Sequence, residues 1–165
     1  MFELRPLSHA AIPGALAKAE RYRLLNEPEQ SASICEDILA TEPGNQAARV
    51  GLVLALTDGF RRSTQEAGRA AELAAGLTAE YDRHYFGGLV AERRARALLS
   101  HGGMGRRAAC QWLHQAMRDF DRADAFHPEG NQDARLRWNA CARVFNAHPE
   151  LLAEQEQPHS TPMLE

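Results

Sequence analysis

The sequence predicts an all-α protein, and three observations carry that prediction. Apolar residues recur at helical spacing from residue 10 to residue 148. No alternating Val/Ile/Thr-rich run flanked by hairpin signals interrupts the pattern. The helix-breaking residues fall in clusters: Asn26-Glu27-Pro28, Glu42-Pro43-Gly44-Asn45, Asp58-Gly59, Gly76-Leu77-Thr78, His101-Gly102-Gly103, His127-Pro128-Glu129-Gly130-Asn131 and His148-Pro149. With 165 residues the chain is long enough for one domain with a core and too short for two.

The breaks delimit about seven helices, at 10–26, 28–41, 45–58, 63–77, 79–100, 105–126 and 131–147. Short turns make neighbours antiparallel. The first two helices are separated at Pro28 and the third follows Asn45. Ser63 with Glu66 has the capping-box pattern for the fourth, and Thr78 is placed to cap the fifth. The Gly102-Gly103-Met104-Gly105 run has no preceding strand and reads as the turn between the fifth and sixth helices. Asn131 is placed to cap the seventh, with Asp133 in its first turn. Beyond His148 the chain turns Glu-, Gln- and Pro-rich and ends near His159-Ser160-Thr161-Pro162. That predicts a helical domain over 1–149 and a disordered tail over 150–165.

Two breaks share wording. Ala116, Phe120, Ala123 and Pro128 place a small residue, an aromatic, a small residue and a turn proline at the spacing used by the tetratricopeptide-repeat family. Ser31, Cys35, Ile38 and Pro43 take those places in an earlier copy, with Ala19 and Tyr22 at the small and aromatic positions of the helix before it. The chain therefore resembles an irregular member of that family over most of 10–148. The resemblance implies helix hairpins stacked in a right-handed superhelix, with the first helix of each pair lining a concave surface. Between the two copies the pattern departs: residues 59–78 close a repeat without the proline turn, and the fifth and sixth helices are long. Trp138 stands where a small residue would receive a further helix, so the seventh helix is expected to cap the stack.

The formal net charge of −3 gives no global attraction to nucleic acid or anionic lipid. Cys35, Cys110 and Cys141 are scattered and odd in number, which fits reduced thiols rather than a disulfide framework. Met1 to Ala19 lacks the unbroken apolar core of a signal peptide, and no later run reaches the length of a membrane span. Together these predict a cytoplasmic protein. Lys18 is the only lysine among 19 basic residues, which fits GC-rich coding.

On the fifth helix, Tyr81, Tyr85, Gly88, Glu92, Ala95, Arg96 and Leu99 fall in one stripe. Glu92 and Arg96 interrupt it, four residues apart in the favourable order for an ion pair. They read either as a self-satisfied structural pair or as binding residues. By the resemblance, Tyr85, Leu89, Glu92, Arg93 and Arg96 would face the concave groove, where guanidinium forks suit a carboxylate or an acidic peptide. On the seventh helix Ala134, Trp138, Cys141 and Phe145 form the apolar stripe, while Arg135, Asn139 and Arg143 share another face. That face is either solvated or a continuation of the groove, and Arg23 on the first helix extends the set. Some family members clamp a C-terminal carboxylate with lysine and asparagine, but Leu16, Glu20 and Gly51 occupy three of those places here.

No G-x-S-x-G, Walker loop, H-E-x-x-H or dinucleotide fingerprint is present. Cys110 and His114, one turn apart, are the nearest metal constellation, and two ligands do not close a zinc site. Asp119, Asp121, Asp124 and Glu129 lack calcium-loop spacing. The expectation is a non-catalytic, bacterial-type adaptor without cofactor or metal, binding a protein or peptide partner, with no nucleic acid and no membrane. The alternatives are a structural subunit of a homo-oligomer or larger complex, or a small-molecule or metal sensor.

Overall fold

Helical periodicity in the sequence becomes eight α-helices among the residues described by the computed structural model, 2–100 and 105–153, with no strand among them. They are α1 (Ile12–Leu24), α2 (Pro28–Thr41), α3 (Gln46–Asp58), α4 (Ala67–Ala75), α5 (Glu80–Ser100), α6 (Arg106–Asp124), α7 (Asp133–Ala147) and α8 (Glu150–Ala153). Single 3-10 turns, His9–Ala11 and Gly59–Arg61, precede α1 and follow α3. None of the described helices is long and apolar enough to cross a membrane.

Helix ends follow local chemistry. Pro13 and Pro28 occupy first-turn positions, where the missing N–H is no loss. Asn26 turns the chain between α1 and α2 at φ 62°, a left-handed conformation that Asn tolerates. Gly130 does the same before α7 at φ 79°. The Asn45 side chain accepts from Ala48 N at 2.8 Å and caps α3.

Three predicted start signals act differently. Ser63 accepts from Gln65 N at 3.2 Å, forming a local turn, so α4 begins only at Ala67. Thr78 is drawn to Gln46, whose Oε1 accepts from Thr78 N at 2.9 Å, which ties the start of α5 to α3. Asn131 accepts from Asp133 N at 2.9 Å and from the Tyr81 hydroxyl at 3.3 Å.

From α1 to α7 each helix packs on the next along the chain, and α1–α3, α3–α5 and α5–α7 also touch, so the odd-numbered helices form one layer. α5 and α6 run antiparallel: Tyr85 and Gly88 meet Phe120, Arg94 lies over the Trp112 ring, and Leu98 abuts Gly105. A β-carbon added at Gly88 would sit 2.8 Å from Phe120 Cε1 and 3.2 Å from the Ala116 carbonyl oxygen. The absent side chain thus sets how closely these helices approach. The small and apolar residues singled out in the two repeat-like segments are buried: Ser31, Cys35 and Ile38 in one, Ala116, Phe120 and Ala123 in the other.

The expected tail does not begin at 150. Residues 150–153 form α8, which packs against α6 and buries Leu151 among Leu113, Cys141 and Phe145. Apolar burial outweighs the polar composition there. The remainder of that tail, 154–165, and most of the turn expected at Gly102-Gly103-Met104-Gly105 lie outside the described residues.

Candidate functional site

The odd-numbered layer carries three depressions in a row. The first, about 420 Å³, lies between α1 and α3, lined by Leu16, Glu20, Arg23, Val50 and Leu54 with Cys35 of α2 at its base. The second, about 190 Å³, lies between the end of α3 and α5, lined by Asp58, Arg61, Arg93 and Arg96. The third, about 510 Å³, lies between α5 and α7, lined by Arg61, Arg96, Leu99, Arg143 and Val144. Arg61 and Arg96 line both the second and the third. The first joins them through Arg23, whose Nε lies 3.5 Å from Asp58 Oδ2.

Two carboxylates organise the arginines. Glu92, 1 % exposed, accepts from Arg96 Nε at 2.9 Å through Oε1 and from Arg137 Nη1 at 3.4 Å through Oε2. Asp58 accepts from Arg93 Nη1 at 2.6 Å and faces Arg23 on its other oxygen. The same Arg93 nitrogen donates to Thr57 Oγ1 at 2.6 Å and to the Leu54 carbonyl at 3.3 Å, which clamps the C-terminal turn of α3 onto α5.

Each carboxylate thus faces two guanidinium groups, leaving one positive charge in each cluster. Among the described residues, Arg61 and Arg143 have no ion-pair partner, so both add to that excess. Burial lowers the Arg93 pKa and its neighbour Asp58 raises it, the net direction being down. Arg137 is also desolvated, but Glu92 and the Tyr85 phenol overcome this and raise its pKa.

The structure divides the predicted set. Arg23, Arg93, Arg96 and Arg143 lie along the row, Glu92 is buried behind it as the partner of Arg96, and Tyr85 sits partly buried beside Arg137, stacked on Tyr81 at 5.5 Å. Leu89, expected to face the groove, is in the core at 1 % exposure. Arg135 and Asn139 instead line a depression between α6 and α7 with Phe120 and Trp138, and Arg135 pairs with Asp124 at 2.8 Å. A spacing of four turns the helix about 40° per step, so positions 135 and 143 differ by about 80° and reach different neighbours.

Arg137 and Arg61 were missed by the sequence reading. Arg137 is four residues before Cys141 and borders the apolar stripe, so a buried acid on α5 was a signal for it. Arg61 lies in a 3-10 turn, where helical periodicity gives no face assignment.

Cys110 is buried and the His114 ring packs on Phe145 with centroids 4.7 Å apart. No group of three or more His, Cys, Asp or Glu among the described residues is placed to hold a metal ion.

Cys35 and Cys141 are both fully buried. Burial pushes Cys35 up to about 11 and Cys141 up to about 12, with Glu36 and Glu92 respectively adding to the rise. Native protein at pH 8 is therefore expected not to react with a thiol-disulfide reagent at either cysteine, whereas denatured protein reacts fully. Rapid native labelling would mean that these helices open easily. Because the folded pKa values lie above the unfolded one, the stability tied to these thiols is complete below about pH 9 and is lost as pH rises beyond it.

Comparison of the chain with family models, with curated proteins and with solved structures finds no match.

Proposed function

We propose that this chain is a non-catalytic, cytoplasmic scaffold whose helices stack in the manner of tetratricopeptide repeats and hold an acidic segment of a partner protein along α1, α3, α5 and α7. The observation that carries this reading is charge retention: Glu92 and Asp58 each face two arginines, and Arg61 and Arg143 add charge that no described acid pairs with. A basic row on a chain of net charge −3 steers an acidic partner to one face. Helices in mutual contact fix the backbone positions that carry these side chains before binding, which limits the ordering cost of association.

Arg93 is a poor probe of this role, because charge reversal there would break the α3–α5 clamp. Arg61 and Arg143 are exposed and make no ion pair among the described residues, so Arg61→Glu/Arg143→Glu should leave the fold intact. In affinity capture from a lysate, this variant is expected to lose a partner that the wild-type protein retains, at equal circular dichroism. Equal capture by both proteins would move the binding face elsewhere.

A homo-oligomeric subunit is the second reading, favoured by the exposed pair Leu24 and Leu25 at the end of α1, 74 % and 62 % accessible. A mass that rises with concentration in light scattering, and that Leu24→Ser/Leu25→Ser restores to the monomer, would support it.

A further inference from the structure

The α5–α7 end of the row points to the chemistry of the partner, an inference that rests on the groove reading above. The depression of about 510 Å³ there has an apolar lining from Leu99, Ala140, Val144 and Ala147, and three guanidinium groups from Arg61, Arg96 and Arg143. Arg96 meets Glu92 through Nε, and among the described residues its terminal nitrogens make no hydrogen bond to a carboxylate. His148, also in the lining, is turned to Glu150 at 3.1 Å. Three forks of separate origin are therefore open to one ligand.

A single carboxylate offers two oxygens and one charge, which one fork satisfies. A phosphomonoester offers three terminal oxygens and about −1.5 to −2 charges near neutral pH. We propose that this depression binds a phosphorylated serine or threonine of the partner segment, with an apolar neighbouring side chain against Leu99 and Val144. A peptide is favoured over nucleic acid because the lining holds no Phe, Tyr or Trp for base stacking and its one aromatic ring, His148, is turned to Glu150, while the chain's net charge of −3 opposes a long polyanion.

The test is fluorescence anisotropy with degenerate seven-residue peptide libraries carrying leucine on both sides of a central phosphoserine, serine or glutamate. The phosphoserine library is expected to bind roughly tenfold more tightly than the glutamate library and to lose roughly tenfold in each of Arg61→Gln and Arg143→Gln. Urea midpoints of both variants should match wild type. Equal binding of phosphoserine and glutamate libraries would overturn the phosphate assignment while leaving the acidic-segment scaffold standing. Stronger binding of a single-stranded oligonucleotide with matched charge would overturn it in favour of nucleic acid. Failure of every acidic and phosphorylated library to bind at low salt would remove both readings.

Discussion

Replacing both arginines that face Glu92, in an Arg96→Ala/Arg137→Ala variant, is expected to lower the unfolding free energy by about 3–5 kcal/mol. The carboxylate is 1 % exposed, and its two oxygens reach Arg96 at 2.9 Å and Arg137 at 3.4 Å. Without them a charge stays in the protein interior with its desolvation uncompensated. The reverse deletion should behave differently. In Glu92→Leu the arginine side chains, 47 % and 39 % exposed, can turn into water, so the cost is small. Adding Glu92→Leu to the double variant should therefore recover most of the lost stability. Urea unfolding of the four proteins checks this cycle. A double variant within about 0.5 kcal/mol of wild type would mean that water reaches Glu92.

Phe120→Ala should cost a similar amount, about 3–5 kcal/mol. The ring is fully buried, packs over Gly88 where an added β-carbon would sit 2.8 Å from it, and lies 6.0 Å from the Tyr85 ring. Truncation leaves a cavity that Gly88, lacking a side chain, does not fill. Gly88→Ala on the wild-type background should also destabilise, because overpacking against Phe120 costs about 1–3 kcal/mol while alanine regains about 1 kcal/mol in helix propensity. Combined, the two changes should be milder than their sum, since the new methyl enters the space the ring vacates. Additive losses in thermal or urea denaturation would show that Gly88 and Phe120 are not packed on one another.

Much of the helix architecture was legible because it rests on periodicity and on punctuation. The stripe on α5 placed Gly88, Glu92 and Ala95 on one face, and all three are buried. The Asn26, Pro28 and Gly130 breaks stand where the chain turns. Starts were less legible, because side-chain bonds compete: Ser63 serves its own turn, and Thr78 is claimed by Gln46 from another helix. The groove was half legible. Glu92 and Arg96 share a helix, so their pairing follows from spacing, whereas Arg137 and Asp58 reach their partners from other helices. Arg135 and Asn139 were grouped with Arg143 by sequence spacing alone. The rotation of α7 turns the first two toward α6 instead.

Excess positive charge along the odd-numbered helices is the feature on which the scaffold reading depends. It is tested by anisotropy titration of matched Glu-rich and Arg-rich peptides against wild type and Arg61→Glu/Arg143→Glu, at low and high salt. Groove recognition predicts binding of the acidic peptide alone, weakened by salt and reduced roughly tenfold or more in the variant. Equal affinity for both peptides, or an acidic peptide bound as tightly by the variant as by wild type, would contradict it.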